Sequence, residues 1–267
     1  WAVLETLTPQ GFLAFRDGLG TASGFESFQM REFEILLGLK DEDRIGGMDP
    51  LTNFRAMAEV DERGAAMLAR LESAMSKPSL CESMMNWVER TPIMGSSYGS
   101  EGDDAAVRAY IEAHLESHRA LGEAASERSS GWGAQDPAKM AARMAAAHEG
   151  AVDFLMPGGE VSRARAGLLF IESYRELPLL TWPRKLIDAI VELEESMVKW
   201  RHAHARMVER IMGRRIGTGG TSGVDYLDAT SQYRIFKDLW GVRTILVKPQ
   251  ERPTLHNAGF YGYTADS

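Results

Sequence analysis

Cysteine is almost missing: Cys81 is the only one in 267 residues, which excludes an internal disulfide and a thiolate metal cluster and fits a reducing cytoplasm. Basic residues are outnumbered, 30 Lys and Arg against 38 Asp and Glu, a formal net charge of −8. Such a surface argues against nucleic acid or an anionic membrane as the natural partner. Long apolar runs are absent too; a stretch such as Gly167 to Ile171 is far short of the roughly 20 residues that span a bilayer, and no basic-then-apolar leader opens the sequence. The expectation is a soluble, intracellular chain with no membrane partner. Nucleotide signatures are lacking: the glycines of Gly217-Thr218-Gly219-Gly220-Thr221-Ser222-Gly223 have no Lys-Ser/Thr pair after them, and no dinucleotide fingerprint opens a helix after a strand. There is no convincing internal repeat. Strand patterns are missing as well, with Thr244 to Val247 the one segment considered for extended structure.

What is present is helical. Leu186, Ile187, Ile190, Val191, Met197, Val198, Met207, Val208, Ile211 and Met212 recur at helical spacing, uninterrupted from Arg184 to Gly213, which predicts one helix of roughly eight turns. Two histidines ride on it. His204 lies seven residues after Met197, four after Trp200 and four before Val208, so it points with the apolar stripe; His202 shares its direction mainly with Glu195, Lys199, Arg206 and Glu209. The glycine-rich loop that follows offers backbone N–H groups and small hydroxyls to a carboxylate, ammonium or phosphate. A flexible connection between helices has the same composition.

Upstream, Thr8-Pro9 reads as an N-cap followed by proline at the first helical position. On the helix it opens, Phe12, Phe15 and Leu19 share a face and Arg16 follows Phe12 by four. An arginine beside aromatic rings is either a snorkelling edge residue or a two-pronged clamp for a carboxylate. Ser23 can cap a helix beginning near Phe25, with Phe25, Phe28, Phe33, Leu36 and Leu37 as its buried face and Gly38 as its stop. Further helices are expected over Pro50 to Glu59, Arg63 to Met75, Ser79 to Glu89, from Asp103 or Asp104 through Leu121, over Pro137 to His148 and over Ser162 to Tyr174; Thr91 to Gly102 reads as a loop and Ala124 to Asp136 as a Ser/Gly-rich mobile stretch. His114 and His118, four apart, could grip a metal from one helix, but the His-Glu-x-x-His pattern is lacking. The fold class is all-α, a helical bundle with irregular connections.

Three groups of residues carry a family resemblance: the run from Arg201-His202-Ala203-His204 through Gly217-Thr218-Gly219-Gly220-Thr221-Ser222-Gly223 to Tyr233-Arg234-Ile235-Phe236; the Thr8-Pro9 helix with Phe12 and Arg16, leading to Ser23-Gly24-Phe25; and the segment from Arg165 to Pro183. Together they resemble the haem-dependent tryptophan 2,3-dioxygenases from Trp1 to about Pro249, most closely at both ends. The resemblance implies a single haem-binding helical domain over residues 1–267, a non-covalent haem b with His204 as the axial iron ligand, L-tryptophan or a derivative and O2 as partners, and a homotetramer. It further implies that Arg16 holds the substrate carboxylate, that Thr218 holds the ammonium or carboxylate, and that Phe12, Leu19, Ser23 and Gly24 wall the indole slot. Insertion of O2 across the indole C2=C3 bond would give N-formylkynurenine. Glu26 departs from the family's usual glutamine. The family's distal histidine and a segment reaching a neighbouring subunit would lie upstream of Trp1; no distal base is assigned, and His148 and His256 do not match it. Two alternatives stay open: transfer of one oxygen atom to a tryptophan derivative, and non-catalytic binding of haem or an amino acid.

Overall fold

A computed structural model describes residues 8–17, 28–40, 49–130, 136–214 and 223–262. Its helices are α1 (Pro9–Asp17), α2 (Phe28–Leu37), α3 (Thr52–Ala58), α4 (Glu62–Met75), α5 (Leu80–Val88), α6 (Asp103–Ser130), α7 (Pro137–Leu155), α8 (Arg163–Ser173), α9 (Thr181–Met212), α10 (Gly223–Thr230) and α11 (Lys237–Thr244). Short 3₁₀ turns lie at Pro157–Gly159, Pro178–Leu180 and Ala258–Tyr261. The architecture is all-α. No strand is found among the described residues; Thr244 closes α11 instead of opening one, and the only β pairing is an isolated bridge between Ile93 and Ser96. None of the described helices is long and apolar enough to cross a membrane.

Local chemistry starts these helices where the sequence places their signals. Thr8 Oγ1 accepts the Gly11 N–H at 3.1 Å, and Pro9 takes the first helical position, where its missing N–H costs nothing. Asp61 caps α4 by accepting from the Gly64 N–H at 2.7 Å, and Asp136 caps α7 by accepting from Ala138. Ser79 and Glu82 form a reciprocal capping box at α5: the Ser79 N–H donates to Glu82 Oε2 at 2.6 Å and the Glu82 N–H to Ser79 Oγ at 3.2 Å. Those Ser79 hydrogen bonds hold the Glu82 carboxyl below its usual pKa. Gly38 ends α2 at φ +132°, and a Cβ there would approach Cys81 Cβ to 2.8 Å.

Three expectations change. Helix α6 continues to Ser130 instead of giving way near Ala124, because Ala, Glu and Arg sustain a helix and its serines do not break one. Helix α7 runs on past His148 to Leu155. On α2 the buried residues are Arg31, Ile35 and Leu37, whereas Phe33 and Leu36 are exposed. The proposed Phe25 start and Ser23 cap lie outside the described residues.

The chain divides into two compact units, one made of residues 1–82 and 191–236, the other of residues 83–190 and 237–267. In the first, Ile35, Leu51, Phe54, Leu71 and Ala74 form a core against which Phe28, Met57, Leu68 and Met75 pack. In the second, buried Tyr110, Phe170, Tyr174 and Tyr261 make an aromatic cluster, with Phe170 and Tyr174 ring centres 4.6 Å apart. The Tyr261 hydroxyl donates to Pro92 O and accepts from the Gly95 N–H, both at 2.9 Å, so the tail's ring fixes the turn at Pro92 to Ser96. Beside that turn, buried Asp103 at the start of α6 accepts from Ser96 Oγ, the Gly99 N–H and Arg163 Nη2 at 2.8, 3.0 and 3.1 Å.

Helix α8 is tightly seated here: a Cβ on Gly167 would lie 2.3 Å from the Val88 carbonyl oxygen. Gly167→Ala is therefore expected to destabilise the protein by about 1–3 kcal/mol. Gly150→Ala, within α7 where a Cβ meets nothing within 4 Å, is expected to stabilise it by about 0.5–1 kcal/mol through helix propensity. Urea unfolding of the two variants checks the opposite signs.

Candidate functional site

Helix α9 carries a buried stripe that is not purely apolar. Ile187, Ile190, Met197, Ala205 and Ile211 are buried, and so are Glu194 at 1% and Arg201 at 4% exposure, both at the stripe's centre. Burying either charge is costly unless it is paired and hydrogen-bonded. Both are. Glu194 Oε1 accepts the backbone N–H groups of Ile235 and Phe236. Arg201 donates to Glu34 Oε1 at 2.7 Å and to the Tyr233 carbonyl at 3.2 Å, and its guanidinium lies over the Tyr233 ring. The second oxygen of Glu34 faces Arg31 at 3.2 Å. Helix α9 is thereby fastened to α2 and to the segment Tyr233–Phe236 that follows α10. Sequence reasoning passed over Glu194 and Arg201. Their signal was available: with Ile187, Ile190, Met197 and Ala205 they occupy successive positions of a single 3.6-residue period.

The rotation that buries Arg201 fixes the two histidines. His204, one turn on, is half-buried at the stripe's edge, its ring centre 5.2 Å from that of Trp200; His202 is exposed. Burial lowers the pKa of His204, so the ring stays neutral near pH 7. A neutral imidazole with an apolar neighbour on a rigid helix is the donor that haem iron takes as an axial ligand, so this residue fits a b-type haem. Two exposed cations of the helix are paired: Lys199 with Glu195 at 3.3 Å, and Arg206 with Glu209 and with Asp228 of α10. Arg214, just past α9, meets Asp225 of α10 at 3.0 Å across the two ends of the glycine-rich connection.

Of the other candidates, half-buried Phe12 and the backbone of Arg16 stand on α1, four residues apart; the Arg16 side chain lies outside the described residues, as do Leu19, Ser23, Gly24, Glu26 and Thr218. His114 and His118 do not form the one-helix metal grip: His114 is fully buried and its Nε2 is hydrogen-bonded to the Ile245 carbonyl at 2.9 Å. An apolar cavity of about 350 Å³ between Ala147, Ala151 and Phe154 of α7 and Gly241 of α11 contains none of the candidate residues.

A family model described as tryptophan 2,3-dioxygenase matches residues 1–246 of the chain. The chain belongs to the tryptophan 2,3-dioxygenase family, a family of oxidoreductases. It is 41% identical to a tryptophan 2,3-dioxygenase of Sorangium cellulosum over 99% of this chain and 66% of that protein. It is 42% identical to a tryptophan 2,3-dioxygenase-like protein of Xanthomonas campestris over 97% of this chain and 99% of that protein. Tryptophan 2,3-dioxygenase 2 of Ralstonia nicotianae is 40% identical over 99% of this chain and 74% of its own length.

Because Arg201 is buried with its carboxylate partner, Arg201→Met is expected to cost about 3–5 kcal/mol, the usual penalty for breaking a buried pair. Lys199→Ala, removing an exposed pair on the same helix, is expected to leave the urea midpoint unchanged.

Proposed function

We propose that the chain is a haem-dependent oxygenase that inserts both atoms of O2 across the indole C2=C3 bond of L-tryptophan, giving N-formylkynurenine. The observation that carries this reading is the neutral, half-buried His204 one turn beyond the Arg201 anchor, within a chain matched by the family model over residues 1–246. Bound haem iron supplies the activation of O2. The residues of the chain supply position. His204 would hold the haem iron through its imidazole, on the helix that Arg201 and Glu194 fasten in place. Arg16 offers a planar fork for the amino-acid carboxylate, and Thr218 a hydroxyl and backbone N–H for the opposite end. Phe12, Leu19, Ser23 and Gly24 shape an apolar slot for the ring. A substrate clamped at both ends keeps C2 and C3 in reach while both oxygen atoms are delivered.

A second reading, transfer of one oxygen atom to a modified tryptophan, is favoured by Glu26 where the family has glutamine, since a carboxylate there can compete for Arg16 or select an altered amine. The likeness over nearly its whole length to a protein named only as dioxygenase-like supports keeping it. Turnover with isotopically labelled O2 separates the two: L-tryptophan converted to N-formylkynurenine with both atoms labelled supports dioxygenation, whereas one labelled atom, or turnover of modified tryptophans alone, supports the second reading.

His204→Ala is expected to lose haem, and His202→Ala to keep it with an unaltered Soret band; equal haem contents would remove the ligand assignment. Arg16→Leu is expected to weaken L-tryptophan binding by about 2–5 kcal/mol while leaving tryptamine, which has no carboxylate, nearly unaffected, as equilibrium titration would show.

A further inference from the structure

One fully buried histidine plays no part in the proposed haem site. His114, on α6, has no exposure to solvent, and its Nε2 is hydrogen-bonded at 2.9 Å to the carbonyl of Ile245, the residue after α11. A carbonyl can only accept, so Nε2 carries the proton and Nδ1 keeps the lone pair. That Nδ1 atom is shut off from solvent and has no hydrogen-bond partner. The groups around the ring offer nothing to a positive charge. On α6 itself, the Tyr110 ring centre is 6.3 Å away, but its hydroxyl lies in the field of Ser173, Tyr174, Arg252 and Tyr261. His118, one turn on, opposes a charge on His114 and faces His148 of α7. The carboxylates of α6 and of the helices around it are engaged or turned to water: Glu116 acts on His148 and binds Arg119, Glu172 of α8 binds Arg175, and Asp238 of α11 binds Arg165. Glu112 of α6 and Glu149 and Asp153 of α7 are exposed. No carboxylate acts on the His114 ring.

We propose that His114 is an acid-sensitive latch: neutral, it ties the end of α11 to α6, and on taking up a proton it releases that segment. The added proton can go only to Nδ1, where it creates a buried charge and an N–H without an acceptor. Both are costly, and the ring escapes them only by reaching water. The packing favours opening at this place. Thr244 and Ile245 line the apolar cavity of about 350 Å³ together with Ala147, Gly150 and Ala151 of α7, so the end of α11 is not closely packed on that side. Burial lowers the His114 pKa from its ordinary value of 6.5; the Ile245 hydrogen bond partly opposes this and His118 adds to it. In the open state the ring meets water and binds its proton with the ordinary affinity. The latch therefore holds above about pH 6.5 and weakens as the pH falls below it. For one proton, the opening constant rises by up to about tenfold per pH unit until the closed form is itself protonated.

Amide hydrogen exchange of the full chain at about pH 7.5 and about pH 5.5, corrected for the intrinsic rate at each pH, tests this. In the wild type, protection of the amides from Gly241 to Ile245 is expected to fall by roughly threefold or more at the lower pH, while α4, in the other compact unit, changes by less than about twofold. His114→Gln keeps an amide donor for the Ile245 carbonyl but cannot titrate, so its protection is expected to hold at both pH values. His148→Gln is expected to show the wild-type fall. Should His114→Gln misfold, exchange at the C2 position of each wild-type histidine, followed by mass across the same pH range, decides: a His114 midpoint below about 6.5, coincident with the loss of amide protection, is expected. A midpoint at or above that value, a fall shared by His114→Gln, or an equal loss of protection in α4 would overturn the latch and leave His114 as a core residue without a switching role.

Discussion

A guanidinium that is 4% exposed has to be paired, and Arg201 meets that constraint with a carboxylate from α2 and a carbonyl from the segment after α10. An ion pair buried in this way is not a strong source of net stability, since desolvation offsets most of the attraction. It is a source of definition. Any rotation or sliding of α9 that separated Arg201 from Glu34 would leave charge buried without a partner, so the helix has one acceptable setting. Glu194, two turns earlier, repeats the constraint with two backbone donors, and its position on the same stripe makes the two anchors act along one line. His204 inherits its direction from them.

The other unit uses the same device at Asp103. A buried carboxylate at the first residue of α6 gathers a serine hydroxyl, a backbone N–H and an arginine, while the turn it supports is fixed from the far side by Tyr261. Placing acid at a helix N-terminus adds the favourable field of the helix dipole to the hydrogen bonds. In each unit, then, apolar packing supplies the bulk of the burial and buried, paired ionic groups select the arrangement. Many of the other charges form exposed pairs, such as Lys199 with Glu195, which keep the surface hydrated and contribute little to which fold forms.

The functional reading rests on how few groups a cofactor enzyme asks of its protein: an axial donor, a clamp for the substrate's charged end and an apolar slot. The family membership and the burial of His204 support the first of these, and the placement of Phe12 and Arg16 on a well-capped helix supports the other two as proposals.

Much of this was legible in the sequence. The Thr8-Pro9 and Asp136-Pro137 starts, the unbroken period of α9 and the Gly38 stop are local instructions, readable because capping and helix period need only neighbouring residues. The contrast between His202 and His204 belongs with them, for it follows from the turn angle alone. What period cannot show is which polar residue at a stripe's centre will find a partner. Glu34 is 167 residues from Arg201, and the N–H groups that satisfy Glu194 come from 41 and 42 residues downstream. The same limit explains the histidines: spacing pairs His114 with His118 along one helix, while tertiary packing gives His114 to a carbonyl 131 residues away and His118 to His148. Local sequence sets where a helix begins and which way each side chain leaves it; the crossing of helices decides what that side chain meets.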